Sequence, residues 1–169
     1  MNNYKFTYKR INHFIESINR YDKNHIKKHL NIPKDTIETI KEHLKTGRMK
    51  ANNYNVKHIL KHLKLNKYYE YIPWIAANIN DEIEDLPEYS AELRNKLCEM
   101  FAKFEIAHQK EYEGQRKHFP SFSFVLYKFL EILKKYKHME HIMLLNNPNR
   151  MELSNIMWNK VIEEIDWEN

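Results

Sequence analysis

Apolar residues recur every three or four positions along most of the chain, the period of an amphipathic helix. Ile11, Phe14, Ile15 and Ile18 predict a first helix from about Thr7 to Tyr21. Lys23-Asn24-His25 opens a short basic segment that stops before Pro33. Ile37, Ile40 and Leu44 predict a helix starting near Lys34, with Gly47 as its C-terminal cap. Beyond a polar loop at Arg48–Asn53, Val56, Ile59, Leu60 and Leu63 share one face of a third helix. Tyr68, Ile72, Ile75 and Ile79 continue the period, and Pro73 implies a kink or a fresh start there. Asn80–Glu88, acidic and holding Pro87, reads as a link. Leu93, Leu97, Met100, Phe101 and Phe104 then mark a long helix over about Ser90–Tyr112, ended by Gly114. An aromatic helix follows over Ser121–Tyr136, then an apolar turn at Met139–Leu145, a break at Asn146–Asn149 and a last helix to Ile165.

The expected fold is therefore all-α, a bundle of six or seven helices with room for two small lobes. Two glycines and five prolines leave little for a turn-rich β fold. One cysteine excludes an internal disulfide and is compatible with a reducing compartment. No apolar run approaches a membrane span, and Met1-Asn2-Asn3-Tyr4-Lys5 lacks a signal-peptide core, so no membrane is expected among the partners.

The net charge of +5 is unevenly spread. Residues 1–80 hold sixteen Lys and Arg against six Asp and Glu, and the remainder holds twelve against seventeen. This predicts a basic helical lobe over 1–80 and an acidic, aromatic-rich lobe over 88–169, packed as one compact domain. One end then suits phosphates and the other a protein; the two charges also suit packing against each other. On the third helix, Lys57, Lys61 and Lys64 fall at i, i+4 and i+7, opposite the apolar seam. With Arg48, Lys50, Asn52, Asn53 and Lys67 they form a candidate nucleic-acid track, duplex DNA being the expected ligand. Lysines without arginine forks suit phosphate contact better than base readout. The same residues fit an ordinary solvated lysine face equally well.

Other chemistry is thin. His25/His29 and His58/His62 have metal-chelating spacing but no neighbouring cysteine or glutamate to complete a site. Asp81, Glu82, Glu84 and Asp85 lack a phosphate-binding glycine loop and read as a solvated linker. Tyr68, Tyr69, Tyr71 and Trp74 fit core packing better than base stacking. Trp158 reads as core, and Trp167, near the carboxyl end, as a candidate partner anchor. No nucleophile elbow, P-loop or dinucleotide fingerprint occurs, so no enzyme is expected.

Residues 116–129, R-K-H-F-P-S-F-S-F-V-L-Y-K-F, are the most specific stretch. They resemble the R-x-N-F-x-S-Y-x-Y-x-L-x-K-F signature of the poxvirus late transcription factor three-like family of large DNA viruses. Arg116, Phe119, Ser121, Leu126, Lys128 and Phe129 match, while His118 replaces Asn and Phe122 and Phe124 replace Tyr. Tyr8-Lys9-Arg10-Ile11-Asn12-His13-Phe14, Ile32-Pro33, Ile59-Leu60-Lys61-His62-Leu63 and Lys67-Tyr68-Tyr69-Glu70 are similar to further family blocks in the same order. Leu93 with Met100-Phe101, and Ile156, Trp158 and Trp167, fit the remaining blocks more loosely.

The resemblance implies a non-enzymatic viral late-gene transcription factor. Its implied partners are DNA, a viral RNA polymerase and other late transcription factors, and its implied place is a cytoplasmic viral factory in the host, or the virion. A protein-interaction module without direct DNA contact is the alternative. The family also carries a cysteine-rich zinc element ahead of the Y-K-R-I-N-H-F block. Only seven residues precede Tyr8 and Cys98 is the lone cysteine, so no such element can be built from this chain and no cofactor is expected. Either the zinc element has been lost or the chain is a fragment.

Overall fold

The computed structural model describes residues 9–144 and 147–168, and among these it is all-α, with nine α-helices and no strand. The start of the first predicted helix, Thr7 and Tyr8, and the ends of the Met139–Leu145 turn and the Asn146–Asn149 break, at Leu145 and Asn146, lie outside the described residues. Two compact units are present, one of residues up to Ile18 and from Ser90 onward, the other of Asn19–Tyr89. Helix α1 (Arg10–Tyr21) contributes its first part to the former and its last turn to the latter.

In the first unit, Phe14 and Ile18 of α1 are fully buried. Helix α6 (Ala91–Glu111) starts where the Ser90 hydroxyl accepts the Leu93 N–H at 3.1 Å, and α7 (Phe122–Ile132) where Ser121 accepts that of Phe124 at 3.2 Å. Such caps satisfy amide donors that the first turn leaves open. Helix α8 (Tyr136–Met139) is a single turn, and α9 (Pro148–Ile162) begins at an Asn147 cap. The core is a set of rings. Phe14 stacks on Phe101 with centroids 4.5 Å apart, Phe104 stacks on Trp158 at 5.3 Å, and Phe129 meets Phe14, Phe104 and Trp158 edge-on or tilted. Phe129 of the aromatic helix read from the sequence is thus at the centre of this unit, in the offset and T-shaped pairs that large apolar rings favour, whereas Tyr136 at that helix's expected end is 59% exposed.

The second unit holds α2 (Lys23–His29), α3 (Lys34–Thr46), α4 (Asn53–His62) and α5 (Ile72–Ile79). Ile37, Ile40 and Leu44 of α3, and Val56, Ile59 and Leu60 of α4, are buried on the faces the period predicts. A 3-10 segment at Asn66–Tyr71 precedes α5, and Pro73 sits in the first turn of α5, so the proline marks a fresh start.

The acidic residues after α5 are solvated as read, with Asp81, Glu82, Glu84 and Asp85 all exposed, but the end of the segment is built into the fold. Leu86 and Pro87 are buried, and the Pro87 carbonyl accepts the Lys23 backbone N–H at 3.0 Å. The Lys23 ammonium, on a side chain only 10% exposed, donates to the Glu84 carbonyl and lies 3.5 Å and 3.3 Å from the Glu84 and Glu88 carboxylates. Lys27 pairs with Glu84 as well and holds its carboxyl below the usual range. The buried Asp22 carboxylate caps α2 at Asn24 and accepts the Tyr89 N–H at 3.3 Å. The stretch therefore folds back on α2, because buried donors and cations there need its oxygens.

Four helix ends close on a left-handed residue other than glycine. After α3, α4, α5 and α7, the residues Arg48, Lys64, Asp81 and Lys134 adopt φ of 53°, 57°, 57° and 59°. The next amide in each case returns to a carbonyl five residues back: Met49 to Leu44, Leu65 to Leu60, Glu82 to Ala77 and Lys135 to Leu130, at 2.8–2.9 Å. This is the Schellman closure, which usually places glycine at the left-handed position. Gly47 does cap α3, but with φ of −81°; the left-handed residue is Arg48.

Candidate nucleic-acid interface

Between residues 41 and 67 the sequence carries eight Lys and Arg against Glu42 alone. The side chains of Lys57 and Lys61 project from exposed positions on α4, opposite the buried Val56, Ile59 and Leu60. Arg48, Lys50, Lys64 and Lys67 are exposed too. Among the described residues, none of these six cations is in an ion pair. Within the same unit Arg20, Lys23 and Lys27 are matched to Glu70, Glu84 and Glu88, while Lys28 and Lys34 are exposed without an ion pair among the described residues.

One feature of the expected ridge needs correction. Lys64 is not a third helical position after Lys57 and Lys61. The helix ends at His62, Leu63 is its cap, and Lys64 turns into the left-handed region. The ridge is two lysines on a helix and a third on the turn that closes it. Lys67 follows in the 3-10 segment, its ammonium 5.1 Å from the centre of the Tyr68 ring.

The asparagines have local duties. Asn52 caps α4, its side-chain oxygen accepting the Asn55 N–H at 2.8 Å, which fixes the side chain and leaves its amide N–H groups as donors for a ligand. Asn53 is the first residue of α4 and half-buried. The loop between them and α3 is braced by Asn55 donating to the Lys50 carbonyl and Asn80 to that of Ala51.

Three contributors were missed from the sequence. Tyr54, 72% exposed, shares the α4 face of Lys57 and Lys61 at i, i+3 and i+7, a spacing that could have been read directly. Lys41 and Lys45 on α3 are exposed four residues apart. The His43 and His62 rings lie 6.0 Å apart, so the C-terminal turns of α3 and α4 converge, which only tertiary packing reveals. The arrangement can neutralise several phosphates at once and offers one exposed phenol; it holds no nucleophile–base pair.

Elsewhere, Tyr68 is buried and Tyr69, Tyr71 and Trp74 are half-buried. Trp158 is 5% exposed, in the core. Trp167 is half-buried with its ring 5.7 Å from that of Phe129. Cys98 is half-buried on α6, burial raising its thiol pKa.

A search for relatives gives a consistent answer. The model of a protein family described as Poxvirus Late Transcription Factor VLTF3 like matches residues 1–169. The chain belongs to that family. Two relatives accompany the match, each described as a "putative transcription factor". One, from Paramecium bursaria Chlorella virus 1, is 32% identical over 95% of this chain and 44% of its own length. The other, from Acanthamoeba polyphaga mimivirus, is 28% identical over 96% of this chain and 37% of its own length. The chain thus spans less than half the length of the curated relatives it matches. No solved structure matches it.

The family resemblance implies zinc, and the described residues do not fit it. No three His, Cys, Asp or Glu side chains among them gather as a metal site. The thiol of Cys98 has burial against it and no second cysteine in the chain. Nor is any described helix long and apolar enough to cross a membrane.

Proposed function

We propose that this chain is the helical part of a non-enzymatic viral late-gene transcription factor that holds promoter DNA through the α3–α4 surface. The observation that carries the reading is the clustering of Arg48, Lys50, Lys57, Lys61, Lys64 and Lys67, exposed and without ion pairs among the described residues, in a stretch where Glu42 is the one carboxylate. Exposed lysines left without carboxylates attract polyanions, and each phosphate met releases condensed counterions. Family membership supports the wider setting: a viral RNA polymerase and other late factors as protein partners, at sites of viral transcription in the host cytoplasm. In this reading the basic surface supplies affinity and register, and the sequence preference comes from elsewhere in the assembly, since lysines on phosphates carry little sequence information.

Duplex DNA titrated at several salt concentrations tests it. The triple variant Lys57→Ala, Lys61→Ala, Lys64→Ala should reduce the slope of log affinity against log salt by about three units. An unchanged slope removes these lysines from the interface. Loss of all DNA binding by the unaltered chain, with polymerase binding retained, would select the protein-interaction alternative instead.

A further inference from the structure

In the first unit, a cleft of about 670 Å³ opens between the segment leading into α7 and one face of α9. Arg116 and His118 line one wall, and Arg150 the other. The floor is apolar, made of Phe119, Leu153 and Met157, with Leu153 61% exposed. On α9, Arg150, Leu153 and Met157 fall at i, i+3 and i+7, so a cation and two aliphatic groups share a single helical face.

The charge lining this cleft is of one sign. Among the described residues no carboxylate lines it, and neither arginine is in an ion pair. Four other cations of the same unit have partners, Arg10 with Glu105, Lys110 with Glu164, Lys128 with Glu131 and Lys103 with the Asp166 carbonyl, and Lys117, also in the cleft wall, lies 5.6 Å from the centre of the Tyr112 ring. Two free arginines and a histidine around an exposed leucine, in the more acidic part of the chain, describe a surface that lacks its counterpart.

We propose that this cleft docks a short acidic peptide segment of another protein, one that inserts a leucine, isoleucine or phenylalanine between flanking aspartates or glutamates. The chemistry separates this occupant from a nucleotide. A base would need an open ring face for stacking, and the Phe119 ring is occupied by the Arg10 guanidinium at 4.6 Å and by the edges of Phe101 and Phe104 at 5.8 Å and 5.6 Å. What stays open is aliphatic, which fits an inserted side chain, with arginine forks placed for carboxylates. The inference is independent of the α3–α4 surface and supplies a protein-binding site other than Trp167.

The test is a selection of random short peptides displayed on phage against the full chain, followed by fluorescence anisotropy with the most enriched peptide. Enriched sequences should carry Leu, Ile or Phe flanked by Asp or Glu. Arg150→Glu and Leu153→Asp, both at exposed positions, should each weaken binding about tenfold or more, while Lys57→Ala with Lys61→Ala leaves it unchanged. Enrichment without acidic residues, or binding that survives both cleft variants, overturns the proposal. So does a labelled thymidine oligonucleotide whose affinity falls with Arg150→Glu, which gives the cleft to nucleic acid. A dimer in sedimentation that Leu153→Asp dissolves overturns it as well, giving the cleft to a second copy of the chain.

Discussion

Replacing Lys64 by glycine should make the protein more stable and a poorer DNA binder at once. Lys64 holds φ of 57° beyond the end of α4, fixed there by the Leu65 N–H bonded to the Leu60 carbonyl at 2.8 Å. An L-residue in that region is strained by roughly 1–2 kcal/mol from Cβ crowding. Glycine escapes the strain but loses about 0.5–1 kcal/mol more backbone entropy on folding. The net expectation for Lys64→Gly is a gain of about 0.5–1 kcal/mol. Lys64→Ala is the control that isolates the backbone, because it removes the same charge and keeps the Cβ. Urea unfolding followed by circular dichroism would read the difference. With a slope of about 2 kcal/mol per molar, the glycine variant should unfold roughly 0.3–0.5 M later than the alanine variant. Both substitutions should lower the salt slope of DNA binding by about one unit. Lys134→Gly, at φ of 59° in the other unit, should match the stability gain without touching DNA affinity. Equal stability of the glycine and alanine variants would refute the strain argument; equal DNA loss at positions 64 and 134 would refute the placement of the interface.

Further outcomes follow from the first unit and from the α2 corner. His108 is 4% exposed, with its Nε2 unpartnered among the described residues, and burial together with the Arg10 charge lowers its pKa. Because the unfolded chain binds that proton more readily, stability should be fully present above about pH 6.5 and decline as pH falls toward the folded value, with a slope of up to about 1.4 kcal/mol per pH unit that His108→Gln removes in pH-dependent unfolding. Phe129→Ala empties the middle of the ring cluster and should destabilise by about 3–5 kcal/mol in denaturant titrations. Lys23→Ala removes the donor to the Glu84 carbonyl and one cation beside the Glu84 and Glu88 carboxylates, and should destabilise by about 1–3 kcal/mol and raise amide exchange over residues 83–89, where an unchanged exchange pattern would show that the segment is held without Lys23.

Periodicity made most of the fold legible. The buried sets Ile37/Ile40/Leu44, Val56/Ile59/Leu60 and Leu97/Met100/Phe101/Phe104 are those that helical spacing picks out, because a helix against a core must bury one stripe. Two helices escaped for physical reasons. Helix α2 buries one apolar residue, Ile26, beside the buried Lys23, and α8 is one turn with no buried residue, so neither carries a stripe to read. Helix ends were legible where a serine or asparagine caps them, as at Ser90 and Ser121. They were less so where lysine or arginine takes the left-handed position that glycine normally signals, as the early end of α7 at Leu133 shows.

Charge misled in an instructive way. Summed along the sequence, the acidic residues after Asn80 seem to belong with the carboxyl-terminal part, and the lysines of residues 1–80 form one basic block. The contacts divide that block. Glu84 and Glu88 return to Lys23 and Lys27, so two of the three lysines of α2 are consumed inside their own unit, leaving Lys28, whereas the cations between Lys41 and Lys67 have no carboxylate partner among the described residues. A charge count cannot make this distinction, because it depends on which carboxylates come within about 4 Å, where Coulomb attraction overcomes solvent screening. Unmatched cations cluster on α3, α4 and the turn at Lys64, while α2 keeps Lys28 alone of its described lysines unmatched. Charge reversal at Lys57 and Lys61 would act on that surface, and charge reversal at Lys27 would act on the fold.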